Sequence, residues 1–198
     1  MPSSIHSHAI QDSLAIYPIN PTDFAAVVTL ANHVHGNGYL TETALADMLQ
    51  QGIKQQLAAC FLAKIAQRVV GYRISFAAGQ WQPDEWCSPL AWPVRVEDMA
   101  YFKSVAVHPV VQGQGIGQAL LQHSIQVLQQ QGAKAGLAHL WCESPHNSAV
   151  RYFSKAGGQL INRHENRWQH LSAQGYHCPR CGKVCCCSAA EMVLQFTQ

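Results

Sequence analysis

Between Ser104 and Leu121 the chain reads SVAVHPVVQGQGIGQALL: an apolar run, a His-Pro break, glycines at 113, 115 and 117, and then a helical pattern. Glycines let a backbone turn tightly and bring its N–H groups close to a ligand, and the start of a helix favours negative charge. A strand that ends in such a loop and continues as a helix either cradles a phosphate or is a tight helix entry. Two familiar phosphate loops fail on the residues. A dinucleotide fingerprint begun at Gly113 needs a glycine at position 118, which is Gln118, and no Gly-Lys-Ser/Thr of a P-loop occurs.

The rest of the chain alternates between strand-like and helix-like segments. LAIYPI reads as a first strand, and Asn20 with Pro21 marks a helix start running to about Asn32. Thr41 opens a second helical stretch, TETALADMLQQGIKQQ. ACFLAKIAQ and VVGYRISFAA follow as a hairpin turning at Gln67-Arg68, without the favoured Asn-Gly chemistry. Met99–Val107 is the next strand, and Gly115–Gln131 a helix with a broad apolar arc that should lie on a sheet. LAHLWC (137–142) is a short strand, PHNSAVRYFSKAGG a helix, Leu160–Trp168 and EMVLQF the last strands. Because the second and third strands are consecutive, the pattern is a mixed α/β sandwich rather than a pure βαβ repeat. We read 1–198 as one domain, with 1–12 a flexible tail. The connection 79–96, with three Trp and three Pro, either folds onto the core or walls a pocket.

Composition narrows the partners. Only 12% of the 198 residues are charged, 48% are hydrophobic and the formal net charge is +2, so neither a disordered chain nor a polyanion-binding surface is expected. No run approaches the roughly 20 apolar residues of a membrane-spanning helix, and the polar start lacks signal-peptide character. The expectation is a cytoplasmic protein, monomer or homodimer, with neither nucleic acid nor membrane as partner.

The segment around the glycines resembles the GNAT acyltransferases, whose motif Gln/Arg-x-x-Gly-x-Gly/Ala is matched by Gln112, Gly115 and Gly117. VAVHP resembles the family's V-x-P approach to that loop. About thirty residues on, NSAVRYFSKAGG is similar to the family's N-x-x-A-x-x-x-Y-x-K-x-G-F helix: Ala149, Lys155 and Gly157 are in register, and Asn147 is one place late. The resemblance covers about residues 14–169. It implies a mixed, mostly antiparallel twisted sheet flanked by helices and splayed at a central parallel pair, here Met99–Val107 and Leu137–Cys142. It also implies acetyl-coenzyme A as co-substrate. The pantetheine arm would pair with the backbone at Val105, Ala106 and Val107. Gln112, Gly113, Gln114, Gly115, Ile116 and Gly117 would hold the pyrophosphate, with Asn147 contacting the cofactor from the next helix. The acceptor expected is a primary amine of a small molecule, attacking directly. The alternative is a zinc-stabilised module that binds the cofactor without turnover.

The departures bear on chemistry. The family's frequent proton donor is a Tyr four residues before the motif Gly, where this chain has Phe153, and Gly158 replaces an aromatic. Tyr152 is adjacent, although one helical step turns it by about 100°. Glu97, Asp98 and Glu143 are candidate bases, since an attacking amine must lose its proton to a carboxylate or to water. Cys142 reads as a quiet packed thiol.

Five of the eight cysteines lie between 178 and 187. Cys178-Pro-Arg-Cys181-Gly has the spacing of a metal knuckle, and Cys185 or Cys186 together with Cys187 would complete a tetrahedral set; the favoured four are Cys178, Cys181, Cys185 and Cys187, with His170 and His177 as substitutes. This loop, 176–188, is expected to hold a structural zinc ion and to sit as an insertion before the last strand.

Overall fold

A computed structural model describes residues 13–196; the tail expected at 1–12 lies outside the described residues. The chain runs β1 (Ala15–Pro18), α1 (Phe24–His35), α2 (Glu42–Gln51), β2 (Ile53–Lys54), β3 (Leu57–Ala58), β4 (Phe61–Ile65), β5 (Arg68–Phe76) and β6 (Met99–Val107). It continues through α3 (Ile116–Gln130), β7 (Ala135–Trp141), α4 (Ser148–Lys155), β8 (Gln159–His164), α5 (Gln169–Ser172) and β9 (Ala189–Gln195). Seven strands form one sheet in the order β1-β4-β5-β6-β7-β9-β8, and only β6 and β7 are parallel. The expected mixed, mostly antiparallel sheet is thus the one formed.

Local chemistry accounts for most boundaries. Pro21–Asp23 forms a 3-10 turn before α1, closed by the Asn20 amide donating to Asp23 Oδ2 at 3.2 Å. Thr41 caps α2 by accepting from the Ala44 amide at 3.2 Å. Helix α2 stops at Gln51, short of the expected 56: Gly52 ends it, and the next residues form the small β2–β3 ribbon. The β4–β5 turn falls at Ala66-Gln67 rather than Gln67-Arg68, with φ of 48° and 64°. Both are left-handed, as a two-residue turn matching the strand twist requires. Strand β7 starts two residues earlier than expected, and β8 ends at His164 because the chain then turns into α5.

The core has two layers. Tyr72, Ile74, Phe76, Met99 and Leu137 face α1, α2 and the folded-back Trp81 and Trp92. Phe102, Ala138, Leu140 and Met192 face Leu121 and Leu128 of α3 and Phe153 of α4. Ile74 pairs with Ser104 but Ser75 with Phe102, so Lys103 is an extra residue on β6. This bulge resets the alternation of faces along β6.

Candidate active site

Strands β6 and β7 pair only from Met99–Tyr101 to Ala135–Leu137. Beyond Tyr101, β6 continues against β5 alone, and beyond Leu137, β7 continues against β9 alone. The parallel pair therefore parts in mid-sheet and exposes two inner strand edges toward the C-terminal ends. Edge backbone groups want partners, so such a slot suits an extended ligand with amides of its own. Two carbonyls of the β6 edge already have one each: Val105 accepts from His35 Nε2 at 3.1 Å, and Val107 from Gln112 Nε2 at 2.9 Å. A carbonyl has a second lone pair, so neither is closed to a ligand.

The slot opens onto the glycine loop. Gly113 and Gly115 both have φ of 81°, and Gly115 is the left-handed N-cap of α3. A Cβ at either would meet nothing, so backbone conformation rather than crowding calls for glycine there. A Cβ on Gly117 would lie 3.8 Å from the Tyr152 ring and 3.9 Å from Val107, which puts Tyr152 at the wall of the groove beside the loop. Asn147, expected to face the cofactor, is exposed at the N-cap of α4, and both it and His146 are left-handed.

Tyr152 does not stand alone. Arg73 of β5 donates from Nη2 to its hydroxyl and lies over the Tyr152 and Phe102 rings. Arg73 is 1% exposed, has no carboxylate partner among the described residues, and its Nε is unpaired. Burial raises the Tyr152 pKa and the Arg73 charge pulls it partly back, so the phenol keeps its proton at neutral pH. Burial lowers that of Arg73, and Tyr152 opposes the shift. Sequence reasoning missed Arg73. Its only signal is one charge inside the apolar run VVGYRISF.

Phe153 is fully buried and packs edge-on against Phe102. A Cβ on Gly158 would collide with its ring, so the two departures from the motif are linked: the missing aromatic at 158 leaves the space that Phe153 fills. The one-residue step that separates Tyr152 from the motif position turns it out of the core and toward Gly117.

The candidate carboxylates have partners of their own. Glu97 and Asp98 sit in the turn Val96–Asp98, at the closed end of the β6–β7 pair and away from the slot. Asp98 binds Lys134 at 3.0 Å, and that bond, helped by Arg95, holds its carboxyl below the usual range. Glu97 is exposed, 4.0 Å from Arg95. Glu143 follows β7 and accepts from the Ser188 amide at 3.0 Å, fastening the entry to β9. Cys142 is half-buried, and burial raises its pKa, as fits an unreactive thiol.

The four favoured cysteines come together. The sulfurs of Cys178, Cys181, Cys185 and Cys187 all lie within 4.8 Å of one another. Cys178–Cys187 and Cys181–Cys187 are separated by 3.7 and 3.4 Å. Tetrahedral Zn–S bonds imply about 3.8 Å between sulfurs, so the set fits a zinc ion. Cys186 is exposed outside the set, Trp141, Trp168 and Tyr176 pack around it, and the knuckle closes through Cys181 N–H to Cys178 Sγ at 3.4 Å. The loop docks on the α1–α2 link: the His177 amide donates to the Asn37 carbonyl at 3.2 Å, and Tyr176 Oη to that of His35 at 2.8 Å.

A second group, His139, His164 and Glu191, also lies within ligand reach. Most of its donors and acceptors are already engaged within the protein. Glu191 is fully buried and accepts from the Ser88 amide and hydroxyl, Trp92 Nε1 and His164 Nε2, all at 2.8–2.9 Å. His139 bonds the Trp86 carbonyl and Tyr101 Oη. This bracket ties the Trp-rich connection to the sheet.

The split parallel pair, the glycine loop at its mouth and the flanking helices define an acyltransferase-type α/β fold. Residues 24–158 match the model of the acetyltransferase (GNAT) family. The chain belongs to that family. A search of curated proteins finds no match. Among solved structures, the chain is similar to Ard1 of Thermoplasma volcanium, with TM-score 0.67, 14% identity, and 93% and 99% of the two chains covered. It is also similar to yncA of Salmonella typhimurium, solved with acetyl-CoA, with TM-score 0.66, 17% identity, and 94% and 95% covered. An N-acetyltransferase from Staphylococcus aureus gives TM-score 0.66, 14% identity, and 92% and 98% covered. At these identities the likeness is one of fold. Among the described residues, no helix is long and apolar enough to cross a membrane.

Proposed function

We propose that this chain is an N-acetyltransferase that moves the acetyl group of acetyl-coenzyme A to a primary amine of a small molecule by direct attack. The observation that carries the reading is Tyr152, a protonated phenol beside Gly117, held by a buried guanidinium at the mouth of the parted strands. The glycine loop and the α3 N-terminus would take the pyrophosphate, and the inner strand edges the pantetheine amides. The amine nitrogen forms its bond to the thioester carbonyl carbon, the C–S bond breaks with its electron pair on sulfur, and Tyr152 protonates the thiolate. The surplus amine proton passes to water, and the Tyr152 phenolate regains a proton from solvent before the next turnover. Arg73 positions the phenol and stabilises negative charge on its oxygen once the proton has left.

Free coenzyme A should appear when purified protein meets acetyl-coenzyme A and a panel of amines. Tyr152→Phe should lower kcat by roughly 10²–10⁴-fold with little change in cofactor affinity. Gly117→Trp, which fills the groove without demanding a left-handed backbone, should abolish cofactor binding in a folded protein. The second reading, a module that binds the cofactor without turnover, draws on Phe153 lying in the core. Cofactor binding with no release across the panel would favour it.

We also infer that Cys178, Cys181, Cys185 and Cys187 hold zinc in a structural role. Four thiolates leave no open coordination position for chemistry. Stoichiometric zinc in purified protein, lost in Cys185→Ser, is the expected result.

A further inference from the structure

The connection between β5 and β6 folds over the sheet and closes a cavity of about 160 Å³, whose walls include Trp81, Asp84, Cys87, Tyr101, Lys103 and Arg167. This is about half the lower bound of a drug-sized pocket, so it admits a group of amino-acid size. Its place matters more than its volume. Tyr101 is the last residue of β6 paired with β7, and Lys103 is the bulged residue just beyond. The cavity therefore abuts the apex of the slot. It lies on the α1–α2 face, where Tyr101 packs, while Tyr152 lies with Phe102 on the α3–α4 face. An acceptor here would approach the thioester from the side away from the proton donor.

The walls carry an unbalanced charge. Arg167 is 8% exposed; its Nη2 binds Asp84 Oδ2 at 2.8 Å, its guanidinium lies over Trp86, and its Nε has no partner. Asp84 is committed to Arg167 and to the Trp86 amide at 3.0 Å. Lys103 makes no hydrogen bond or ion pair among the described residues. One carboxylate thus serves two cations, leaving one positive charge unbalanced at a partly open, partly aromatic space that Lys103 and the Arg167 guanidinium line. An uncharged amine offers one lone pair and no negative charge, whereas a carboxylate accepts from both cations in charge-assisted bonds.

We propose that the acceptor carries a carboxylate close to its reacting amine, as an α-amino acid does, and that Lys103 and the Arg167 guanidinium hold it. The spacing follows from position: Lys103 stands two residues past the last residue of β6 paired with β7, so a carboxylate bound there lies near an amine at the slot. Trp81 and Tyr101 would then meet the rest of the molecule.

This inference rests on the acetyltransferase reading, and its test separates the two. Binding of matched triples, each an amino acid, its amide and the decarboxylated amine, is measured by calorimetry on the full chain with coenzyme A present, without need of turnover. Turnover of the same triples is followed separately by release of coenzyme A. The amino acid of at least one triple should bind about tenfold or more tightly than its two partners, and Lys103→Met should erase that preference. Lys103 is exposed, so the variant should fold; an unchanged melting temperature checks this. Equal binding within every triple, no binding of any amino acid, or an undiminished preference in Lys103→Met would overturn the proposal. Carboxylate-selective binding without release of coenzyme A would instead overturn the acetyltransferase reading and leave this one standing.

Discussion

Position 153 separates packing from chemistry at the scale of a single side chain. The motif helix presents Phe153 to the core and Tyr152 to the groove, and Gly158 makes room for the phenylalanine ring. Restoring the family's usual residue should not restore a proton donor. Phe153→Tyr would push a hydroxyl into the packed core beside Phe102, costing about 1–3 kcal/mol, with no gain in acetyl transfer. Thermal melts with initial rates for wild type, Phe153→Tyr and Tyr152→Phe check this; an activity gain in the first would show that the acid belongs at 153. Arg73 makes the same point from the other side. Its role depends on Tyr152, 79 residues away, and no local pattern around VVGYRISF signals the pair.

Among the elements, the Cys-rich loop is a clip between β8 and β9 whose docking surface is the α1–α2 link. Gly36 shows how close the two segments come: its φ is 106°, and a Cβ there would collide with the His177 carbonyl. Removing the metal should therefore be felt at both. We expect chelation to raise hydrogen exchange across 176–188 and at 34–39 well before the β5–β6 and β7–β9 ladders respond. Uniform acceleration throughout the sheet would show that the clip supports the whole core. The four-ligand set was legible from spacing because local thiols in a tight turn can hardly avoid one another. The surface on which the loop docks was not, since it lies about 140 residues upstream.

For the whole molecule, two half-buried imidazoles set the response to acid. Burial lowers the pKa of His35 from 6.5 to about 4, against the opposing bond to the Val105 carbonyl. Burial lowers that of His139 from 6.5 to about 4 as well, opposed by its bond to the Trp86 carbonyl. Between those values the unfolded chain binds more protons than the folded one. Their contribution is therefore complete above about pH 6.5 and is lost as pH falls toward about 4, by up to roughly 3 kcal/mol for each ring. Melting temperature should decline over that window, and His139→Gln should flatten the decline. A slope unchanged in that variant would assign the effect to other groups.

Local patterns carried the fold a long way. The alternation of strands and helices, the consecutive second and third strands, the glycine loop and the cysteine knuckle all arise from neighbours within a few residues. Propensity, capping and turn chemistry act at that range. The site depended on contacts no window contains. The bulge at Lys103 exists only against β5, and the carboxylates at 97, 98 and 143 are drawn to Arg95, Lys134 and the Ser188 amide. Glu191, unremarkable in EMVLQF, is the acceptor that fastens the Trp-rich connection over the cavity. A chain lays down its elements from short-range energies. Which charges meet, which are buried and which are left without a partner is settled only when distant strands and loops close on one another.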